Sequence, residues 1–233
     1  MKIIERASER GGGDFGWLKT RYSFSFANYY NPRRMGFGAL RVLNDDTIEG
    51  GGGFETHAHD NMEIVTIMLE GALSHRDSTG ASGTIRKGEV QVMSAGSGVE
   101  HSEFNASGNE KAKLLQIWIN TKEEDIKPRY DQGAMKAGMN AFSIIASGGG
   151  GGLYIHQDAT LRMGRFEKGG EARCRISKGN GLFIFMISGK AHANGEMLND
   201  RDSMGVAGIE EIAIKALEDC EILAIEVPME GEW

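Results

Sequence analysis

Apolar residues in this chain come in short runs, and nearly every run is cut off by a turn that contains glycine. With 34 glycines against three prolines in 233 residues, that punctuation reads as an all-β sandwich or barrel. The pattern predicts strands over 36–43, 63–69, 88–93, 113–120, 153–163, 182–187, 211–217 and 221–227. Several alternate: Leu115, Ile117 and Ile119 fall on one strand face, and Leu223, Ile225 and Val227 on another, as a pleated strand of period two requires. The one helix candidate is the polar stretch TKEEDIKPRY from Thr121, which Pro128 would end.

Two features divide the chain. The first is a run of five glycines, 148–152, whose backbone entropy keeps it out of a strand interior. The second is an internal echo: MLEGALSH from Met68 returns as MISGKAHA from Met186, each an apolar strand that turns at a glycine. The length suits two domains of roughly 100–120 residues, each able to bury its own core. A boundary just ahead of the glycine run is expected, with halves at 1–140 and 141–233.

Charge excludes some classes of function. The net charge is −7 and the basic residues are scattered, so the cationic surface that nucleic acid or an anionic membrane needs is missing. Arg33 and Arg34 read as a solvated loop pair. No apolar run approaches the ~18 residues of a membrane span, and the first residues lack the apolar stretch of a signal peptide. Cys174 and Cys220 stand apart from each other and from any Cys/His cluster, which suits buried thiols in a reducing compartment. The expectation is a cytoplasmic protein with no direct nucleic-acid or membrane partner.

The chemistry concentrates in two short pairs. His57-Ala58-His59 lies in a strand-like context, where residues two apart share a face, so both imidazoles can turn toward one ion. His101-Ser102-Glu103 repeats the spacing after a glycine-rich turn at 94–98. Three imidazoles and one carboxylate suit a divalent transition metal. Iron(II) ranks first, with manganese, nickel, copper and zinc as alternatives, and an octahedral ion would keep two positions open for substrate or dioxygen. Glu63 competes with Glu103 for the carboxylate role. The series Gly51, His57, His59, Glu63 and Gly71 resembles the first cupin motif, whose glutamate is a ligand, and Gly88 to His101 resembles the second.

A closer resemblance, to the pirin family and its bacterial branch, is carried by five stretches. They are DFGWLKTRYSFSFANYYNPRRMGFGALRVLNDD from Asp14, HAHDNMEIVTIMLEGALSHRDSTG from His57, IRKGEVQVMSAGSGVEHSE from Ile85, LLQIWIN from Leu114 and YIHQDATL from Tyr154. The resemblance implies a bicupin, two jelly-roll β-barrel domains in tandem. It also implies His57, His59, His101 and Glu103 as the metal ligands of the N-terminal domain, which leaves Glu63 as a strand residue near the site. Thr56 to His59 reads THAH where many relatives carry HPHPH or HPHRD, a departure that keeps the ligands and alters the loop beside them.

In the second half the same spacing gives different residues. Gly71 lies 14 and 12 residues after His57 and His59, and counting back equally from Gly189 reaches Arg175 and Ser177. Neither replaces an imidazole, so the C-terminal cupin is expected to be metal-free. His75 and His156 read as hydrogen-bonding residues of turns or strands, and His192 as the tip of a hairpin. Met62, Met68 and Met93 read as core filler. Phe24, Phe26, Tyr29 and Tyr30 read as sandwich core ahead of a lining for a flat aromatic ligand.

Three functions compete. By resemblance, the leading one is a metal-dependent dioxygenase of the quercetinase (quercetin 2,3-dioxygenase) type, which cleaves a flavonol by 2,4-dioxygenation and releases carbon monoxide. Its partners would be a small aromatic substrate and dioxygen, with the metal lowering the pKa of the flavonol 3-hydroxyl and Glu103 acting as catalytic base. The second is a non-enzymatic metal or redox sensor that acts through a protein partner. The third is another cupin enzyme of small molecules, because fold does not fix function.

Overall fold

The computed structural model of the protein describes residues 1–136 and 138–231. Among these residues the regular structure is β apart from one 3-10 turn, Ala7–Glu9, and the strands build the same two-layer unit twice. In the first unit a seven-stranded sheet orders Arg129–Ala134, Glu89–Ser94, Met62–Glu70, Ala112–Asn120, Leu40–Ile48, Leu18–Tyr22 and Gly11–Asp14. Its four-stranded partner orders Gly53–His59, Val99–Asn105, Ala72–Asp77 and Ser82–Arg86. The second unit has a seven-stranded sheet of Lys2–Glu5, Ser203–Ala207, Asn180–Ser188, Cys220–Pro228, Thr160–Phe166, Ala141–Ser147 and Leu153–Tyr154. Its smaller sheet orders Glu171–Arg175, Glu211–Ala216, Ala191–Ala193 and Glu196–Leu198. These are two jelly-roll cupin domains, and the chain's first strand lies in the second of them.

The internal echo has a backbone cause. Gly71 and Gly189 turn corresponding strands at φ 74° and 79°, the left-handed region that costs an L-residue about 1–2 kcal/mol. A Cβ there would also meet the Lys111 carbonyl oxygen at 2.7 Å and the Asp219 carbonyl oxygen at 2.2 Å. Both halves thus demand glycine where one strand folds back under another.

The alternating faces seen in the sequence meet each other. Leu115, Ile117 and Ile119 of the first sheet share one buried cluster with Leu223, Ile225 and Val227 of the second, joined by Leu43, Val65, Leu161 and Phe183. Burying a Leu, Ile or Val contributes about 1.5–3 kcal/mol, against about 0.5–1.5 kcal/mol for a hydrogen bond, so this layer dominates the union of the halves. Hydrogen bonds stitch its rim: Lys122 N donates to the His156 carbonyl (2.9 Å) and Gln157 Nε2 to that of Asn120 (2.7 Å). The second unit also fills its own interior, with Leu182, Ile184, Met186, Ile212, Ile214 and their neighbours. The apolar clusters inside the first unit are smaller and stand apart, one around Leu73 and Leu114 and one around Ile64 and Met93.

Several local expectations fail. The stretch after Thr121 forms bends rather than a helix. Asp125 sits at φ 56°, which a helix forbids, and Thr121 Oγ1 donates to the Glu123 and His156 carbonyls. The span 153–163 is not one strand: Leu153–Tyr154 stops where the His156 and Gln157 region turns to bond the other half, and Thr160–Phe166 resumes. The strand expected over 36–43 begins at Leu40, after a turn closed by mutual Phe37 and Leu40 backbone bonds. The glycine run is a loop within the second sheet, between Ala141–Ser147 and Leu153–Tyr154, and Ser147 Oγ holds it by donating to the Gly151 carbonyl (2.7 Å). Arg34 is no solvated residue: its guanidinium donates to the Ile4 carbonyl (3.1 Å) and lies 3.7 Å from the Glu5 carboxylate.

Gly189→Ala should therefore cost more stability than Gly195→Ala, which shares the positive φ (82°) but has open space at Cβ. The conformational penalty common to both is about 1–2 kcal/mol. Equal losses of unfolding free energy in urea titrations would show that the carbonyl contact beneath Gly189 is unimportant.

Candidate metal centre

The inner face of the first seven-stranded sheet carries polar residues where a core would carry apolar ones. Asn44 lies opposite Gln116, Gln116 opposite Thr66, and Thr66 opposite Gln91, so a belt of polar side chains crosses four adjacent strands. Thr66, Gln91 and Gln116 satisfy one another. Thr66 Oγ1 donates to Gln116 Oε1 (2.8 Å), Gln91 Nε2 to Thr66 Oγ1 (3.2 Å), and the Tyr130 hydroxyl to Gln91 Oε1 (3.1 Å). Glu103 reaches the belt from the smaller sheet, and its carboxylate is clamped by Gln91 Nε2 at 2.6 Å and Gln116 Nε2 at 2.8 Å. Burial pushes the Glu103 carboxyl up to about 7, and these donors oppose the rise.

His101, two residues back on the same strand, lies directly opposite His57. A bulge after His101 shifts the register, so that Glu103 faces Phe54 instead. One ring nitrogen from each of His57, His59 and His101 lies within 4.8 Å of the other two. The Glu103 carboxylate stands at that same range from His75 and His101. Three imidazoles therefore converge, with Glu103 beside only one of them.

Hydrogen bonds fix which nitrogens are free. His57 Nδ1 donates to the Glu55 carbonyl at 2.7 Å, which leaves the lone pair on Nε2. His75 Nε2 donates to Asp77 Oδ2 (2.9 Å), so its Nδ1 accepts from His101 Nδ1 at 3.4 Å. The lone pair of His101 is thereby also on Nε2. The two Nε2 atoms face each other at 3.1 Å, a repulsive arrangement that a shared cation relieves, and a span that two nitrogens held at about 2.0–2.1 Å from one ion can make. Burial lowers His59 to about 4 and His101 to about 3, with the neighbouring imidazoles adding to the effect. Both rings are neutral at pH 7, the form that binds metal. The donor set fits a divalent transition metal.

These imidazoles open on a cavity of about 740 Å³, a size suited to a small organic ligand. Its walls include Trp17, Leu18, Phe26, Phe54, Ile64 and Trp118. Trp118 stands edge-on to the His59 ring at 4.8 Å between centroids.

Other expectations fare unevenly. Glu63 is buried, but it alternates with Ile64, which lines the cavity, and it accepts from Ser94 Oγ (2.8 Å) on the opposite face. It is not beside the site. His75 does hydrogen-bond within its strand region, but its second partner is His101. His192 lies in the strand Ala191–Ala193, just before the hairpin tip. Phe24 joins the core between the halves, Phe26 lines the cavity, Tyr29 stacks on Tyr22, and Tyr30 is exposed. Met68 and Met93 fill core. Register also revises the comparison with the second half. Matching Gly71 to Gly189 aligns His57 with Cys174 and His59 with Ile176, one residue short of Arg175 and Ser177, and aligns His101 and Glu103 with Ile212 and Ile214. All four are packed in the apolar interior. Sequence reasoning missed Thr66, Gln91 and Gln116, although a glutamine within LLQIWIN is the kind of inward polar residue that signals a site.

Fold and cavity together define a two-domain cupin with a histidine-lined chamber in its N-terminal half. A family model described as Pirin matches residues 4–119, and one described as Quercetinase C-terminal cupin domain matches residues 144–227. The chain is 40% identical over 229 residues to a quercetin 2,3-dioxygenase of Escherichia coli (strain K12), covering 98% of this chain and 99% of that protein. It is 38% identical over 221 residues to a pirin-like protein of Caulobacter vibrioides, covering 93% and 95%. The structure of the bacterial pirin YhhW from Escherichia coli in complex with nickel(II) superposes with a TM-score of 0.94 at 39% identity, covering 99% of this chain and 100% of that one. The chain belongs to the pirin family.

Gln116→Leu should lower the unfolding free energy by about 1–3 kcal/mol, because it strips a donor from buried Glu103 and an acceptor from Thr66. An unchanged denaturation midpoint would mean that the clamp adds nothing to stability.

Proposed function

We propose that the protein is a metal-dependent flavonol dioxygenase of the quercetinase type. The observation that carries the reading is the cavity: three imidazoles line one end of a largely apolar chamber of about 740 Å³, which a substrate needs and a sensor does not. The names and close similarity of the relatives support it. In this reading His57, His59, His101 and Glu103 hold the ion in the N-terminal half, 1–140, while the C-terminal half, 141–233, supports it and carries no metal. Iron(II) remains the first choice, with nickel, manganese, copper and zinc as alternatives. Two free, buried cysteines fit a reducing cytoplasm.

The ion, when bound, supplies a Lewis acid that lowers the pKa of the flavonol 3-hydroxyl. The chain's residues do the rest. Aromatic walls flatten the substrate against the chamber and keep water away. Glu103 takes the hydroxyl proton, as the one carboxylate among the four ligand residues. Gln91 and Gln116 each occupy one lone pair of its carboxylate, hold it in place and leave further lone pairs for the proton.

Elemental analysis of purified protein should find one transition-metal ion per chain, and His57→Ala or His101→Ala should remove most of it. The loss should exceed the 10- to 100-fold affinity change, about 1.4–2.7 kcal/mol, that outer-shell substitutions cause. Full occupancy in both variants would sink the ligand assignment. For the chemistry, Glu103→Gln should keep measurable metal and lose roughly 10²- to 10⁴-fold in quercetin turnover, the range of a general base. The dioxygenase reading fails if wild-type protein, reconstituted in turn with iron, manganese, nickel and copper, never consumes quercetin faster than the free ions do.

A further inference from the structure

The cavity has a second polar wall: Asp46 lies opposite Leu114, four residues along the strand from Trp118, which packs on the His59 ring. Thr20 and Asp46 lie directly opposite each other on Leu18–Tyr22 and Leu40–Ile48, and Asn44 shares the inward face of Asp46 two residues along. All three line the cavity and are at least 95% buried. Whereas the belt from Gln116 to Glu103 is hydrogen-bonded throughout, Thr20 Oγ1, Asn44 Oδ1 and Asp46 Oδ1 have no well-formed hydrogen bond among the described residues, and burial pushes the Asp46 carboxyl up to about 7 against the opposing pull of the Thr20 hydroxyl beside it. A buried acceptor left unpaired costs about 1–3 kcal/mol. The second half puts apolar side chains inside its barrel and meets no such cost. Unpaired acceptors facing a ligand chamber are what a site looks like when its ligand brings the donors.

We propose that Asp46, flanked by Asn44 and Thr20, is the specificity-determining anchor of the cavity, accepting a hydrogen bond from a phenolic hydroxyl at the end of the substrate remote from the histidines. This rests on the reading of the cavity as a flavonol site and names what that site selects: a flat polyhydroxylated aromatic with a free hydroxyl at each end. A methyl ether at the remote end would leave Asp46 without a donor, the kind of mismatch that polar sites reject strongly.

The test is calorimetric titration of metal-loaded protein under argon, where dioxygenation cannot proceed, with quercetin, its 3′,4′-dimethyl ether and its 5,7-dimethyl ether. Wild-type protein should bind quercetin at least about tenfold more tightly than one of the two ethers, because only one ring faces Asp46. Asp46→Leu should lose a similar factor for quercetin and level that preference, while Asp46→Asn, which keeps an acceptor oxygen, should retain most of the binding. Asp46→Leu removes a buried unpaired acceptor and should fold at least as stably as wild type. The ligand series in unmodified protein tests the wall whatever the variant does. Equal affinities for all three ligands, an unchanged preference in Asp46→Leu, or no binding of quercetin would overturn the proposal. Selective binding without consumption of quercetin in air would instead defeat the dioxygenase reading and leave the anchor standing.

Discussion

The apolar layer between the two large sheets frees one barrel from having to be solid. A sheet in a single sandwich must bury its inner face to be stable, and polar residues there are a liability. Here the outer face of the first sheet is also buried, with Leu115, Ile117 and Ile119 packed on the second sheet's Leu223, Ile225 and Val227. The strand Ala112–Asn120 is thus held from outside, and its inner face can carry Gln116 and Trp118 toward a chamber. The second unit has the same outer contact and a packed interior as well. The pair divides labour, one unit filled with apolar side chains and the other hollow.

Within the hollow unit, two hydrogen-bonded chains hold the polar side chains in place. The Asp77, His75 and His101 chain sets the tautomer of a histidine at the chamber's end, as outer partners of metal-binding histidines commonly do. The glutamine clamp holds Glu103 at a fixed place between two donors. One chain fixes where a lone pair points, and the other fixes where a buried carboxylate stands. Both are anchored on strands, so their geometry inherits the stiffness of the sheets.

The sequence revealed most of the fold because it follows from local periodicity. Alternation in 113–120 and 221–227, glycine at the turns and the echo of Met68 in Met186 suffice to infer duplicated β-sandwiches. The pairs at His57 and at His101 were legible for the same reason, since a strand puts residues two apart on one face. What stayed hidden depends on register between distant strands. Nothing local aligns Asn44, Gln116, Thr66 and Gln91, or sends Glu63 away from the chamber while Glu103 enters the belt. The one-residue offset between Arg175 and Cys174 came from counting along the chain, where the fold is defined across it. The misread helix had helix-like composition, but contacts with the His156 region decided its backbone.

The placement of Lys2–Glu5 beside Ser203–Ala207 has a temporal side. This edge strand is made well before the strand it pairs with, which follows some two hundred residues later, an interval of roughly 10–40 s at ~5–20 residues per second. Until then the apolar pair Ile3 and Ile4 must wait without a sheet. Contacts of such long sequence separation slow folding, and this one makes completion of the second barrel depend on a segment made before the first. The duplicated halves are alike in plan, but the chain cannot finish them in the order in which it writes them.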